Sequence, residues 1–307
     1  MSRTGAFVLA GLAGALAAAA PAFAQERAGE PAADGNIVVT GRPEAPPTAR
    51  EITRQARSIT AQSGLRESPL PRFEDRLCPG IIGMKADYAS LMIDRIRANA
   101  ERLDMWLTED DGRCTPNFIV AFVRDGQAEL AALEDEKGYL FRSLPLHERR
   151  ELLAEDGPVR VWTTTQTKTR DGIPVQRGQG GNPPTASMWM AHSKIYVGTR
   201  EDIVSVVVLF DMADAQGKTL LQLADYATMR GLARTRPTED GQALDSILAL
   251  FDADGSPPLQ MTDFDRAYLA AVYDDIPNIP GITKVQGVNR QLRLQAQAEA
   301  GAPATRE

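Results

Sequence analysis

From residue 70 onward the apolar positions switch between two periods. Tyr88, Leu91, Met92, Ile96 and Leu103 recur at helical spacing, which predicts a helix over Asp87–Met105 with Arg95, Arg97 and Arg102 facing outward. Pro116–Val123 is a dense apolar run and reads as a strand, and Arg124-Asp125-Gly126 turns it into a helix over Gln127–Leu140. Pro145–Glu155 reads as a second helix capped by Ser143. Val159–Thr167, Ser187–Val197 and Ile203–Phe210, rich in Thr, Val, Trp and Tyr, read as strands, and Pro71–Cys78 as a first strand stopped by Pro79-Gly80. Between the first two of these, Arg170–Pro184 collects Gly, Gln and Pro and reads as a long hairpin loop. Three helices follow: Leu220–Arg234, a short Leu244–Phe251, and Asp263–Tyr273 entered through a Thr262 cap. The expected architecture is α+β, a mixed sheet of about five strands with packed helices, in one domain over residues 70–282.

The flanks have a different texture. Residues 25–69 are rich in Ala, Pro, Gly and charge without a sustained apolar period, and read as an arm. Two islands interrupt it: a β-prone segment over 36–41, and Thr48–Thr60, a basic helix with Ile52, Ala56 and Ile59 on one side. Residues 283–307 read as a polar tail, with Gln291–Ala300 weakly helical. At the other end, residues 1–24 place Arg3 before the small, apolar run Ala6–Ala20 and close on Ala22-Phe23-Ala24. This is the grammar of a cleaved secretory leader, so the mature chain is expected to start near Gln25, in the periplasm or at the outer-membrane periphery.

Loss of Arg3 with the leader moves the net charge from −7 to −8, and an acidic chain argues against a nucleic-acid partner. No segment after the leader is long and apolar enough for a membrane span. Cys78 and Cys114 are the whole cysteine complement. In an oxidising compartment they read as a disulfide, against two free thiols or a metal pair.

One helix carries a resemblance. Ala224-Asp225-Tyr226-Ala227-Thr228-Met229-Arg230-Gly231-Leu232 resembles the H-E-x-x-H-x-x-G-L frame of the zincin peptidases, with Gly231-Leu232 in register. The order of elements is also zincin-like, and the helices after it are similar to those of sphingomonad-type secreted proteins with degenerate zincin helices. A zinc helix needs two imidazoles one turn apart, with a carboxylate between them as base. Here Ala224 and Thr228 stand in the imidazole positions, Arg234 in the third-ligand position, and only Asp225 matches the carboxylate. The resemblance therefore implies a pseudo-enzyme with no metal and no cofactor. The same residues also fit an ordinary amphipathic core helix through Leu220, Leu223, Ala224, Ala227 and Leu232.

Other chemistry is sparse. No G-x-S-x-G elbow occurs, and Gly178-Gln179-Gly180-Gly181 runs into Asn182-Pro183-Pro184 rather than a helix. His192 reads as a strand residue or a general base, and His147 as a residue on a solvated helix face. Glu109-Asp110-Asp111 and Asp252-Ala253-Asp254-Gly255 are acidic turns that do not complete a calcium loop. Asp263 and Asp265 read as charges at a helix N-terminus.

In the arm, Asp34-Gly35-Asn36-Ile37-Val38-Val39-Thr40-Gly41-Arg42 resembles the TonB box of outer-membrane transporters, on a chain too short for their barrel. It implies that Ile37, Val38, Val39 and Thr40 add as a strand to an envelope partner. Two functional expectations follow. The first is an exported, non-catalytic binding or structural domain. The second is a cryptic hydrolase using Asp225 or His192 in a groove beside the sheet.

Overall fold

The structure, a computed structural model, describes residues 46–109, 112–142, 144–175, 185, 193, 195–237, 245–252, 257–274 and 276–301. They belong to the compact unit Pro46–Glu307. Four strands form one open sheet: β1 (Pro79–Ile82), β2 (Phe118–Val123), β3 (Val159–Thr169) and β4 (Thr199–Asp211). Their order is β1-β2-β4-β3, with β1, β2 and β4 parallel and β3 antiparallel to β4. Around the sheet stand α1 (Ala49–Ile59), α2 (Ala86–Glu101), α3 (Gly126–Lys137), α4 (Leu146–Ala154), α5 (Met212–Ala215), α6 (Leu220–Ala233), α7 (Asp263–Tyr273) and α8 (Gly281–Gly301). The fold is α+β as expected, with a mixed sheet.

The sheet has four strands among the described residues rather than about five. Pro71–Cys78 makes only isolated bridges, Arg72 with Asp202 and Leu77 with Leu107, and the strand begins where it was expected to stop. Proline is tolerated because Pro79 opens an edge strand, where its missing N–H breaks no inner ladder. Gly80 is needed for close approach, since a Cβ there would lie 2.8 Å from Pro116 side-chain carbons. Most of the expected strand Ser187–Val197, and all of residues 176–184 of the expected loop, lie outside the described residues, as does the Ser143 cap.

Strand alternation divides the core. Phe118, Val120 and Phe122 of β2, with Val206, Val208 and Phe210 of β4, face the larger core shared with α2, α6 and α7. Ala121, Leu209 and Trp162 point to the opposite face, where Leu130 of α3, Phe141 and Leu152 of α4 cover them. Helices thus lie on both faces of the sheet. The central element is α6, buried on every side from Gln222 to Ala233. Its Gly231 lies directly on the sheet: a Cβ there would approach the Phe118 ring to 2.4 Å.

The folded unit also reaches beyond the boundaries 70–282. Ile52, Ala56 and Ile59 of α1 are buried, and the helix is tied down by Arg236 N–H to Ile59 O at 2.8 Å and Ala61 N–H to Arg234 O at 3.2 Å. α8, in the expected polar tail, buries Val285 and Val288. A stripe of two or three buried apolar side chains per helix suffices to dock each one, although both segments are polar on average. α2 is rotated from its expected setting. Met92, Ile96, Asn99 and Ala100 point inward, while Tyr88 and Leu91 are exposed.

Cys78 and Cys114 form the disulfide, with Cα atoms 6.2 Å apart. Among the described residues no helix is long and apolar enough to cross a membrane.

Two outcomes are expected. Gly231→Ala forces α6 from the sheet or Phe118 from its rotamer, and should cost about 1–3 kcal/mol in urea unfolding. Three buried phenols make the fold alkali-sensitive: burial raises Tyr226, Tyr268 and Tyr273, with Tyr268 pushed up to about 12. The unfolded chain loses these protons near the ordinary value of 10, while the native state retains them, so stability falls as pH rises from 10 to about 12. Tyr268→Phe, followed by urea unfolding across that range, should make the decline shallower.

Candidate functional site

The carboxylate of α6 singled out in the sequence, Asp225, is fully buried. Asp225 has no solvent exposure, and both its oxygens are engaged. Arg95 of α2 grips it bidentately, Nε to Oδ1 at 2.7 Å and Nη2 to Oδ2 at 2.8 Å. Asn99, one turn further along α2, donates Nδ2 to Oδ1 at 2.8 Å, and the Met261 backbone N–H donates to Oδ2 at 2.8 Å. Four donors from two separate segments thus converge on one side chain. Arg95 was expected to face outward; it turns inward because Asp225 stands across the α2–α6 contact. The bond to Asp225 holds the Arg95 guanidinium above its ordinary pKa, against the effect of burial.

Thr228 and Arg234, further along the same helix, are equally committed. Thr228 Oγ1 donates to Ala224 O at 2.7 Å, closing one helical turn on itself. Arg234, at the third-ligand position, ends α6 in a left-handed conformation with φ of 45° and pairs with Glu148 of α4 at 3.0 Å. Among the described residues no group of three or more His, Cys, Asp or Glu is placed to hold a metal. His147 is exposed on α4. His192 lies outside the described residues, so its distance from Asp225 is not part of the geometry, and so do Ile37, Val38, Val39 and Thr40. Asp110, Asp111, Ala253, Asp254 and Gly255 of the two acidic turns are also outside them.

The sheet itself points to a second place. α3 leaves β2 toward the smaller core and α6 follows β4 into the larger one, so the chain diverges at the carboxyl ends of two adjacent parallel strands. Open α/β sheets bind ligands at such a crevice, often with an anion on the helix N-terminus. Here the protein's own side chains fill it. Asp211, the last residue of β4, accepts from the Gly126 N–H that opens α3 and from Arg160 Nη1 at 2.9 Å. Gly126 leaves room for this arrangement: a Cβ would lie 2.5 Å from Arg160 Nη1 and 2.8 Å from Asp211 Oδ1. An internal carboxylate stands where a ligand's anion would stand.

Two further carboxylates are used in the same way. Asp202 of β4 is met by Lys168 Nζ at 2.9 Å and by Arg200 Nε at 2.8 Å. Beside it, burial raises the Glu201 carboxyl while a bond from Thr167 Oγ1 opposes the shift. Asp265, expected as a simple helix-terminal charge, is also buried. It accepts from Ser246 Oγ at 2.6 Å, Ile247 N–H at 2.8 Å and Thr262 N–H at 3.0 Å, and burial raises its pKa against these donors.

Sequence reasoning found Asp225 but none of its partners, nor the Asp211–Arg160 pair. The one available signal was Arg95, which falls between Met92 and Ile96 and four residues before Asn99 on the side of α2 that is buried. In comparisons with family models, curated proteins and solved structures, nothing matches this chain.

Removing one member of a buried, hydrogen-bonded ion pair strands the other. Asp225→Ala is expected to lower stability by about 3–5 kcal/mol. The double variant Asp225→Leu/Arg95→Met should be more stable than the single, and a chemical denaturation cycle over the four proteins measures the difference.

Proposed function

We propose that this chain is an exported envelope protein whose folded unit serves as a binding or structural domain and not as a hydrolase. The observation that carries this reading is the saturation of Asp225. A general base must reach a substrate proton, and this carboxylate instead accepts four bonds in a fully buried position. Export is supported by the leader-like residues 1–24 and by the Cys78–Cys114 disulfide, a bond that persists in oxidising compartments.

Within this reading α6 is a zincin-like helix without its imidazoles, kept for packing. The frame survives in Asp225 and Gly231-Leu232 because those residues hold α2 and the sheet against the helix, a role independent of metal. Partner contact is assigned to Ile37-Val38-Val39-Thr40, whose β-prone side chains suit addition as a strand to an exposed sheet edge in another envelope protein.

The test is made in cells with the full chain carrying a C-terminal tag. N-terminal sequencing should find a mature start at Gln25 in the envelope fraction, and in-cell cross-linking should trap a partner that deletion of residues 36–41 releases. Retention of the intact leader in the cytosol would overturn export. An identical cross-linking pattern after the deletion would remove the strand-addition role.

A further inference from the structure

Next to the Asp225 network, residues of α2, α7, α8 and their ends line an open pocket of about 140 Å³. Most of its lining surface is apolar, with Leu103, Met261, Leu269 and Ala270 set beside the polar Asn99, Arg102, Arg266 and Gln295. An apolar cavity of about 150 Å³ holds a benzene-sized molecule. The pocket therefore suits a small organic body.

Its polar side chains give the charge of the occupant. Asn99 forms the boundary with the core: its Nδ2 is spent on Asp225 and Thr228, and its Oδ1 accepts Arg102 Nη1 at 2.9 Å. That bond fixes Arg102 at the pocket by one nitrogen and leaves its remaining N–H groups for another acceptor. No ion pair engages Arg102 among the described residues. Arg266, the second arginine of the lining, is bound by Met261 O at 2.5 Å and by the Asp263 carboxylate. The pocket thus presents one uncompensated cation beside an apolar cavity.

We propose that this pocket binds a small organic monocarboxylate, its apolar body on Leu103, Met261, Leu269 and Ala270 and its carboxylate on Arg102. The planar guanidinium matches a carboxylate through two parallel N–H···O bonds. A phosphate dianion is disfavoured, because one cation beside apolar walls does not offset the cost of removing it from water. A neutral molecule of the same shape leaves Arg102 without an acceptor. This goes beyond the envelope-binding reading and does not depend on it, since the pocket is complete within 99–103, 261–270 and Gln295.

The experiment titrates the full chain, disulfide intact, with benzoate, its neutral isostere benzamide, and inorganic phosphate, by calorimetry and by ligand-observed NMR. Benzoate is expected to bind in the millimolar range, benzamide at least about tenfold more weakly, and phosphate not at all. Arg102 is exposed, so Arg102→Gln should fold normally; it should weaken benzoate about tenfold and leave benzamide unchanged. Ala270→Trp fills the cavity and should abolish binding of both. Equal binding of benzoate and benzamide, benzoate binding insensitive to Arg102→Gln, phosphate binding as tight as benzoate, or no benzoate binding by the wild-type chain would each overturn the proposal.

Discussion

A carboxylate on the central helix joins three parts of the chain. Asp225 lies on α6, which is buried on every side, and it is held by Arg95 and Asn99 of α2 and by the Met261 backbone just before α7. Taking one charge and one guanidinium out of water is costly, and the arrangement survives because all four bonds are short and well aimed. The pairing fixes how α2 sits on α6. Arg95 and Asn99, one turn apart, meet Asp225 and Thr228, nearly one turn apart, so the two helices run in the same direction along one face of the sheet. With that register set, Met92 and Ile96 enter the core while Tyr88 and Leu91 remain outside it.

The same economy of charge appears at the other polar centres. Asp211 and Arg160 fill the divergence between β2 and β4, Asp202 gathers Lys168 and Arg200 on the β3–β4 hairpin, and Asp265 caps both α7 and the turn at Ile247. Each buried carboxylate meets donors from another segment, so the interior charges act as fasteners between elements. The arginine without an acid partner beside a cavity, Arg102, therefore stands apart from them. Its neighbour Asn99 links it directly to the Asp225 centre, which places a surface pocket one residue from that buried carboxylate.

Much of this architecture was legible in the linear pattern, and the failures have definite causes. β2, β3, β4, α6 and α7 follow from apolar periodicity, and the Thr262 cap of α7 from its place before the helix; the capping boxes that Thr262 makes with Asp265 and Thr219 with Gln222 appear in the structure. The first strand was misplaced by a few residues because proline and glycine usually end strands, whereas an edge position beside Pro116 accommodates both. α1 was legible as a helix and α8 only in its second half, Gln291–Ala300, and neither as part of the core, because a polar helix reveals its docking face only when something packs against it.

The chain alone determined its α+β class and its cysteine pair, since residue identity and short-range periodicity carry those facts. Tertiary structure decided the roles of its charges. Whether Arg95 faces water or Asp225, and whether Asp211 is a strand end or a plug, depends on segments more than fifty residues away. A buried ion pair is a relation between two distant positions, and no local pattern encodes it.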